Sequence, residues 1–96
     1  MYTIKILEQA EEDLKNINDY IAQDNPYKAI VFIQELLENF KNKVSIFPRT
    51  SKKYKKYYCS VYYSYLIFYD IMDEEKQVIL FHIVNSAQYT EYKKFL

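Results

Sequence analysis

Residues 2–7, YTIKIL, set Tyr2, Ile4 and Ile6 against Thr3, Lys5 and Leu7, which predicts a short strand with one apolar face. From Glu8 the period lengthens. Ala10, Leu14, Ile17 and Ile21 recur at steps of four, three and four, one stripe of an α-helix. Glu8, Glu11, Glu12 and Asp13 crowd its first turns, where the helix dipole favours acids. Asp24-Asn25-Pro26 stops that helix and starts another, with Asn25 as N-cap and Pro26 at the first helical position. Ile30, Ile33, Leu37, Phe40, Val44 and Phe47 then trace the second apolar stripe, up to Pro48. So short a connection makes an antiparallel helical hairpin, and its two stripes need a sheet to cover.

The rest of the chain supplies the sheet. Strand-like sequence runs from Tyr57 to about Met72, broken near 62–64, and Asp73-Glu74-Glu75-Lys76 forms the next turn before a strand over 77–84. YLIFY at 65–69 is apolar on both parities, as a central strand covered on both faces would be. Residues 87–96 suit a short helix or a strand extension. The order is β-α-α-β-β-β, a single α+β domain over 1–96 with the helical hairpin packed on one face of a mostly antiparallel sheet.

Composition narrows the class. Half of the 96 residues are apolar and a fifth aromatic, enough for one packed core. No apolar run approaches the roughly 20 residues of a bilayer span, and the N-terminus does not read as a signal peptide. With one cysteine, Cys59, no internal disulfide is possible, which suits the cytoplasm. There is no glycine, so Gly-rich phosphate loops are excluded, and turns needing φ > 0 must use Asn, Asp or Lys, or turn types that avoid it. Net charge is zero but unevenly spread: −3 over 1–48, +5 over 49–69 and −2 over 70–96. Any polyanion contact should therefore centre on the middle segment.

That segment offers Arg49, Lys52, Lys53, Lys55 and Lys56 as phosphate contacts, either that or a solvated loop that aids solubility. Seven of the twelve tyrosines follow between Tyr54 and Tyr69. Counted straight through, Tyr57, Tyr63, Tyr65 and Tyr69 share a parity with Val61, Ile67 and Ile71 and are expected to pack. Tyr58 and Tyr62 fall on the other parity as surface candidates for base stacking. The lone histidine, His82, is expected to share its side with Val78, Leu80 and Val84. An imidazole there suits a general acid or base, or a hydrogen-bonded sheet histidine without a catalytic role, the reading favoured here. The acids at 8–13 and 70–75 combine with neither His nor Cys at ligand spacing, so no metal or cofactor site is expected. Cys59 has no partner base and reads as a buried thiol.

Four segments together resemble the RelE/ParE superfamily of toxins from bacterial type II toxin–antitoxin modules: AEEDLKNINDYIAQDNPYKAIVFIQELL at 10–37, FPRTSKKYKK at 47–56, YLIFYDI at 65–71 and VILFHIVNSAQY at 78–89. The resemblance implies a small toxin neutralised by a cognate antitoxin. RelE-like members cut mRNA in the ribosomal A site without a metal, and ParE-like members poison DNA gyrase. RNA cleavage of that kind needs a base, an acid and cations on the phosphate. Where related sequences carry arginine, this chain has Tyr58, Asp70 and His82, and the terminal segment reads Ser86-Ala87-Gln88-Tyr89. A ParE-like or weakened-nuclease toxin fits these losses. An endoribonuclease would have to work with His82, Tyr89, Lys53 and Lys55. A third possibility is an inactive module that keeps the antitoxin interface.

Overall fold

In the computed structural model, which describes residues 1–88, Leu7 hands the chain from strand to helix. Its N–H donates to the carbonyl of Leu80 at 3.0 Å, and its own carbonyl accepts from Glu11 N–H at 3.0 Å. Strand β1 (Thr3–Ile6) thus runs directly into helix α1 (Glu8–Ala22). The Asn25 side chain accepts from the N–H groups of Tyr27 and Lys28, at 3.0 and 3.1 Å, and opens α2 (Pro26–Val44) as expected. A short 3-10 turn, Pro48–Thr50, leads to β2 (Lys52–Tyr54), β3 (Tyr57–Tyr62), β4 (Tyr65–Met72) and β5 (Gln77–Asn85).

The sheet order is β1-β5-β4-β3-β2, with β1 parallel to β5 and every other pair antiparallel. The architecture is the expected helical hairpin on a mostly antiparallel sheet. One strand more than expected is present, because residues 52–54 of the basic segment pair with β3 as an edge strand. Lacking glycine, the chain places Lys55, Tyr63 and Lys76 at φ of 55, 52 and 52°. Two of these are the lysines anticipated; a tyrosine there is not, since a left-handed backbone crowds its Cβ.

The core lies between the helices and the sheet: Ala10, Leu14 and Ile17 from α1, Leu36, Phe40 and Val44 from α2, and Ile67, Tyr69, Val78, Leu80 and Ile83 below. On α2 the buried line runs through Ala29 rather than Ile30, which is 53% exposed. The helix also ends at Val44, so Phe47 is not on it and stands 65% exposed.

Tyrosine placement differs from the straight parity count, for a simple reason. A two-residue turn at Tyr63-Ser64 pairs Tyr58 with Tyr69, Ser60 with Ile67 and Tyr62 with Tyr65. Even positions of β3 therefore share a face with odd positions of β4. Tyr58 and Tyr62 lie half-buried against the core, while Tyr63, at the turn, is 78% exposed. A second irregularity sits on β5. The register slips between Phe68 and Tyr69, which pair with His82 and Leu80, so Phe81 is the extra residue of a bulge. Leu80 and Ile83 consequently both reach the helix-covered core. The alternation expected around His82, with Ile83 on the opposite side from Leu80, does not hold.

Candidate functional site

Asp13 occupies the buried stripe of α1, between Ala10 and Leu14. A carboxylate there must find donors, and it does. Its Oδ2 lies 2.5 Å from His82 Nδ1 and accepts the Ile83 N–H at 2.9 Å, and its Oδ1 accepts from Gln9 Nε2 at 3.0 Å. One side chain thus ties α1 to the β5 bulge and takes up a backbone donor there. His82 is positioned by this carboxylate, as the hydrogen-bonded sheet histidine would be. Composition made Asp13 look like a helix-start acid. The signal that identifies it is its place among Ala10, Leu14 and Ile17, where a charge needs a partner.

Arg49 is likewise engaged. Its guanidinium forks onto Asp73, Nη1 to Oδ1 at 3.1 Å and Nη2 to Oδ2 at 2.5 Å, and Tyr2 OH donates to Asp73 Oδ1 at 2.8 Å. Lys76 Nζ sits 5.3 Å from the Tyr2 ring centre. The arginine expected as a phosphate contact instead links the Pro48–Thr50 turn to the β4–β5 turn and β1, because a bidentate carboxylate matches its fork. Bonding to Arg49, and secondly to Tyr2, holds the Asp73 carboxyl below its usual range. A group with a depressed folded pKa stabilises the fold above its unfolded value, about pH 4, and that help fades as pH falls through the folded value. Thermal melts taken from neutral pH into acid should therefore show a fall in Tm that Asp73→Asn flattens. An identical acid slope in that variant would remove the pair from this role.

The lysines remain. Lys52, Lys53, Lys55 and Lys56 are all exposed on the β2–β3 hairpin, with Lys55 and Lys56 at its two-residue tip. Lys53 Nζ stands 5.9 Å from the Tyr58 ring centre and Lys56 Nζ 5.3 Å from that of Tyr57. Tyr58 itself stacks on buried Tyr69 at 5.6 Å, so its ring packs under the helices instead of lying open for a base. Tyr69 OH in turn donates to the Pro48 carbonyl at 2.6 Å. Cys59 lies half-buried across from Lys52, and burial, outweighing that lysine, pushes its thiol up.

The structure does not bring the proposed catalytic groups together. His82 is on β5 and Lys53 on β2, three strand spacings away, roughly 14 Å. Lys55 is at the hairpin tip, and Tyr89 lies outside the described residues, as does most of the 87–96 segment. Among the described residues no three of His, Cys, Asp and Glu converge as metal ligands. None of their helices is long and apolar enough to cross a membrane.

Comparison with known proteins agrees with this architecture. A chain of the chromosomal ParDE TA system from P. aeruginosa superposes with a TM-score of 0.73 at 18% identity, over 88% of this chain and 96% of that one. The intact E. coli RelBE toxin–antitoxin complex contains a chain that matches with a TM-score of 0.64 at 18% identity, over 88% and 96%. The isolated E. coli RelE toxin matches with a TM-score of 0.62 at 15% identity, over the whole of both chains. No curated protein matches by sequence. The family described as ParE toxin of the type II toxin–antitoxin system, parDE, matches residues 4–89. The chain belongs to this ParE toxin family, within the RelE/ParE superfamily whose fold it shares.

Proposed function

We propose that this toxin arrests growth by contact with a protein target, DNA gyrase being the candidate its family suggests, and that a partner antitoxin holds it in check in the cytoplasm. The observation that carries the choice of target is the fate of its one histidine and one arginine. Both are tied to carboxylates of the same chain, Asp13 and Asp73, and His82 on β5 lies three strands away from the lysines of β2. Acid–base cleavage of RNA needs such groups to converge on one phosphate. A toxin that works by protein contact has no such requirement.

The exposed lysine hairpin favours a second reading, in which Lys52, Lys53, Lys55 and Lys56 steer the protein to the ribosome or to mRNA. One experiment separates the two. The chain is expressed alone in bacteria, its soluble level is verified, and plasmid supercoiling and primer extension on translated mRNA are read in parallel. Growth should stop and gyrase-dependent supercoiling should fail while the mRNA stays whole. Cuts at the ribosomal A site that disappear in His82→Ala would establish the endoribonuclease instead. Normal growth with a tight antitoxin complex would leave an inactive binding module.

A further inference from the structure

A cleft of about 470 Å³ opens between α1 and the ends of β4 and β5. Its walls include Asp13, Asn16, Tyr20, Tyr65, Ile83 and Asn85. Asp13 is its one charged group among the described residues. The carboxylate is bound to His82, Ile83 and Gln9, yet Oδ1, accepting only the Gln9 amide, retains acceptor capacity. Two phenol rings, Tyr20 and Tyr65, stand at the same opening, and Tyr20 is 70% exposed. Tyr20 also borders a second cleft, of about 470 Å³, that includes Asp24. The helix that forms this wall carries five acids and one lysine, a net charge of −4.

We propose that the cleft between α1 and the β4–β5 ends is a receptor for a guanidinium group, the side chain of an arginine on a partner protein. Asp13, the one charged residue on the lining, together with the side-chain carbonyls of Asn16 and Asn85, offers acceptors to a cation. Flat aromatic faces beside carboxylate and amide acceptors suit a planar, delocalised cation better than a compact ammonium, because guanidinium stacks while it hydrogen-bonds at its edge. Ile17 and Ile83 provide an apolar lining against which the alkyl stem of an arginine can pack. The cleft lies on the opposite side of the sheet order from the lysine hairpin, since α1 covers β5 and β2 is the far edge. A partner that inserts an arginine here is therefore not repelled by that hairpin.

The test is titration of the isotopically labelled protein with N-acetyl-arginine amide, followed by the amide signals of Ile83 and Ala87. The neutral citrulline counterpart and spermidine are titrated alongside. Arginine should give saturable shifts with a dissociation constant on the order of 1 mM, as one weak contact would. Citrulline should give none. Tyr20→Ala, at an exposed position where the fold is not at stake, should weaken arginine binding by about threefold to tenfold. Absence of saturable shifts, equal response to citrulline, or unchanged affinity in Tyr20→Ala would overturn the assignment. Tighter binding of spermidine than of arginine would also overturn it, moving the site to a free polyamine.

Discussion

Replacing Phe40 by alanine is expected to destabilise the domain by about 4 kcal/mol, within the usual range for an emptied aromatic core position. The ring is 1% exposed and meets Tyr69 edge-on, with centroids 5.2 Å apart. Tyr69 is fully buried and its hydroxyl holds the Pro48 carbonyl. Removing Phe40 therefore leaves a cavity and loosens the support of the turn that carries Arg49. Domains of this size are stable by about 5–15 kcal/mol, so the loss would use a large share of the total. Urea unfolding followed by circular dichroism measures it, and Ile30→Ala provides the contrast. Ile30 has comparable hydrophobicity on the same helix but faces solvent, so its truncation should shift stability by no more than about 0.5 kcal/mol. Equal losses for the two variants would contradict the helix orientation described above.

Asp13→Ala is expected to cost about 3 kcal/mol. Its removal takes away the acceptor that His82 Nδ1 and the Ile83 N–H share, at a largely buried position. Leaving a buried donor unsatisfied costs about 1–3 kcal/mol, and here two are stranded against a modest gain in helix propensity. The double variant Asp13→Ala/His82→Ala should lose less than the sum of the single losses, because one of the stranded donors is gone. Urea midpoints for the four proteins give that coupling directly. Strict additivity would mean that the carboxylate and the imidazole do not depend on each other.

These two sites illustrate what the sequence makes legible. The helical hairpin could be read from local chemistry alone: spaced aliphatic residues, an Asn25 cap and Pro26 where a missing N–H does no harm. The long-range pairings could not. That Asp13 meets residues 82 and 83 depends on how α1 lies across β5, and no periodicity encodes that. Tyr58 reads as outward only when a strand count continues through the turn at 63–64, and a turn of two residues exchanges odd and even. Tyr63, at that turn, reads as inward by the same count yet is exposed. The β5 bulge had no glycine to mark it. Arg49 reads as a phosphate contact from its lysine neighbours, whereas Asp73, 24 positions later, lies beyond any local pattern.

The uneven distribution of charge has a last consequence. The acidic α1 covers β5, and the lysine hairpin forms the opposite rim at β2. A molecule of zero formal charge therefore keeps the five acids of α1 and the four lysines of the hairpin on opposite sides of its sheet. In the field of a charged partner it would be turned before contact, presenting the hairpin to anionic surfaces and α1 to cationic ones. Two partners of opposite charge could then approach it from different sides without competing for the same encounter.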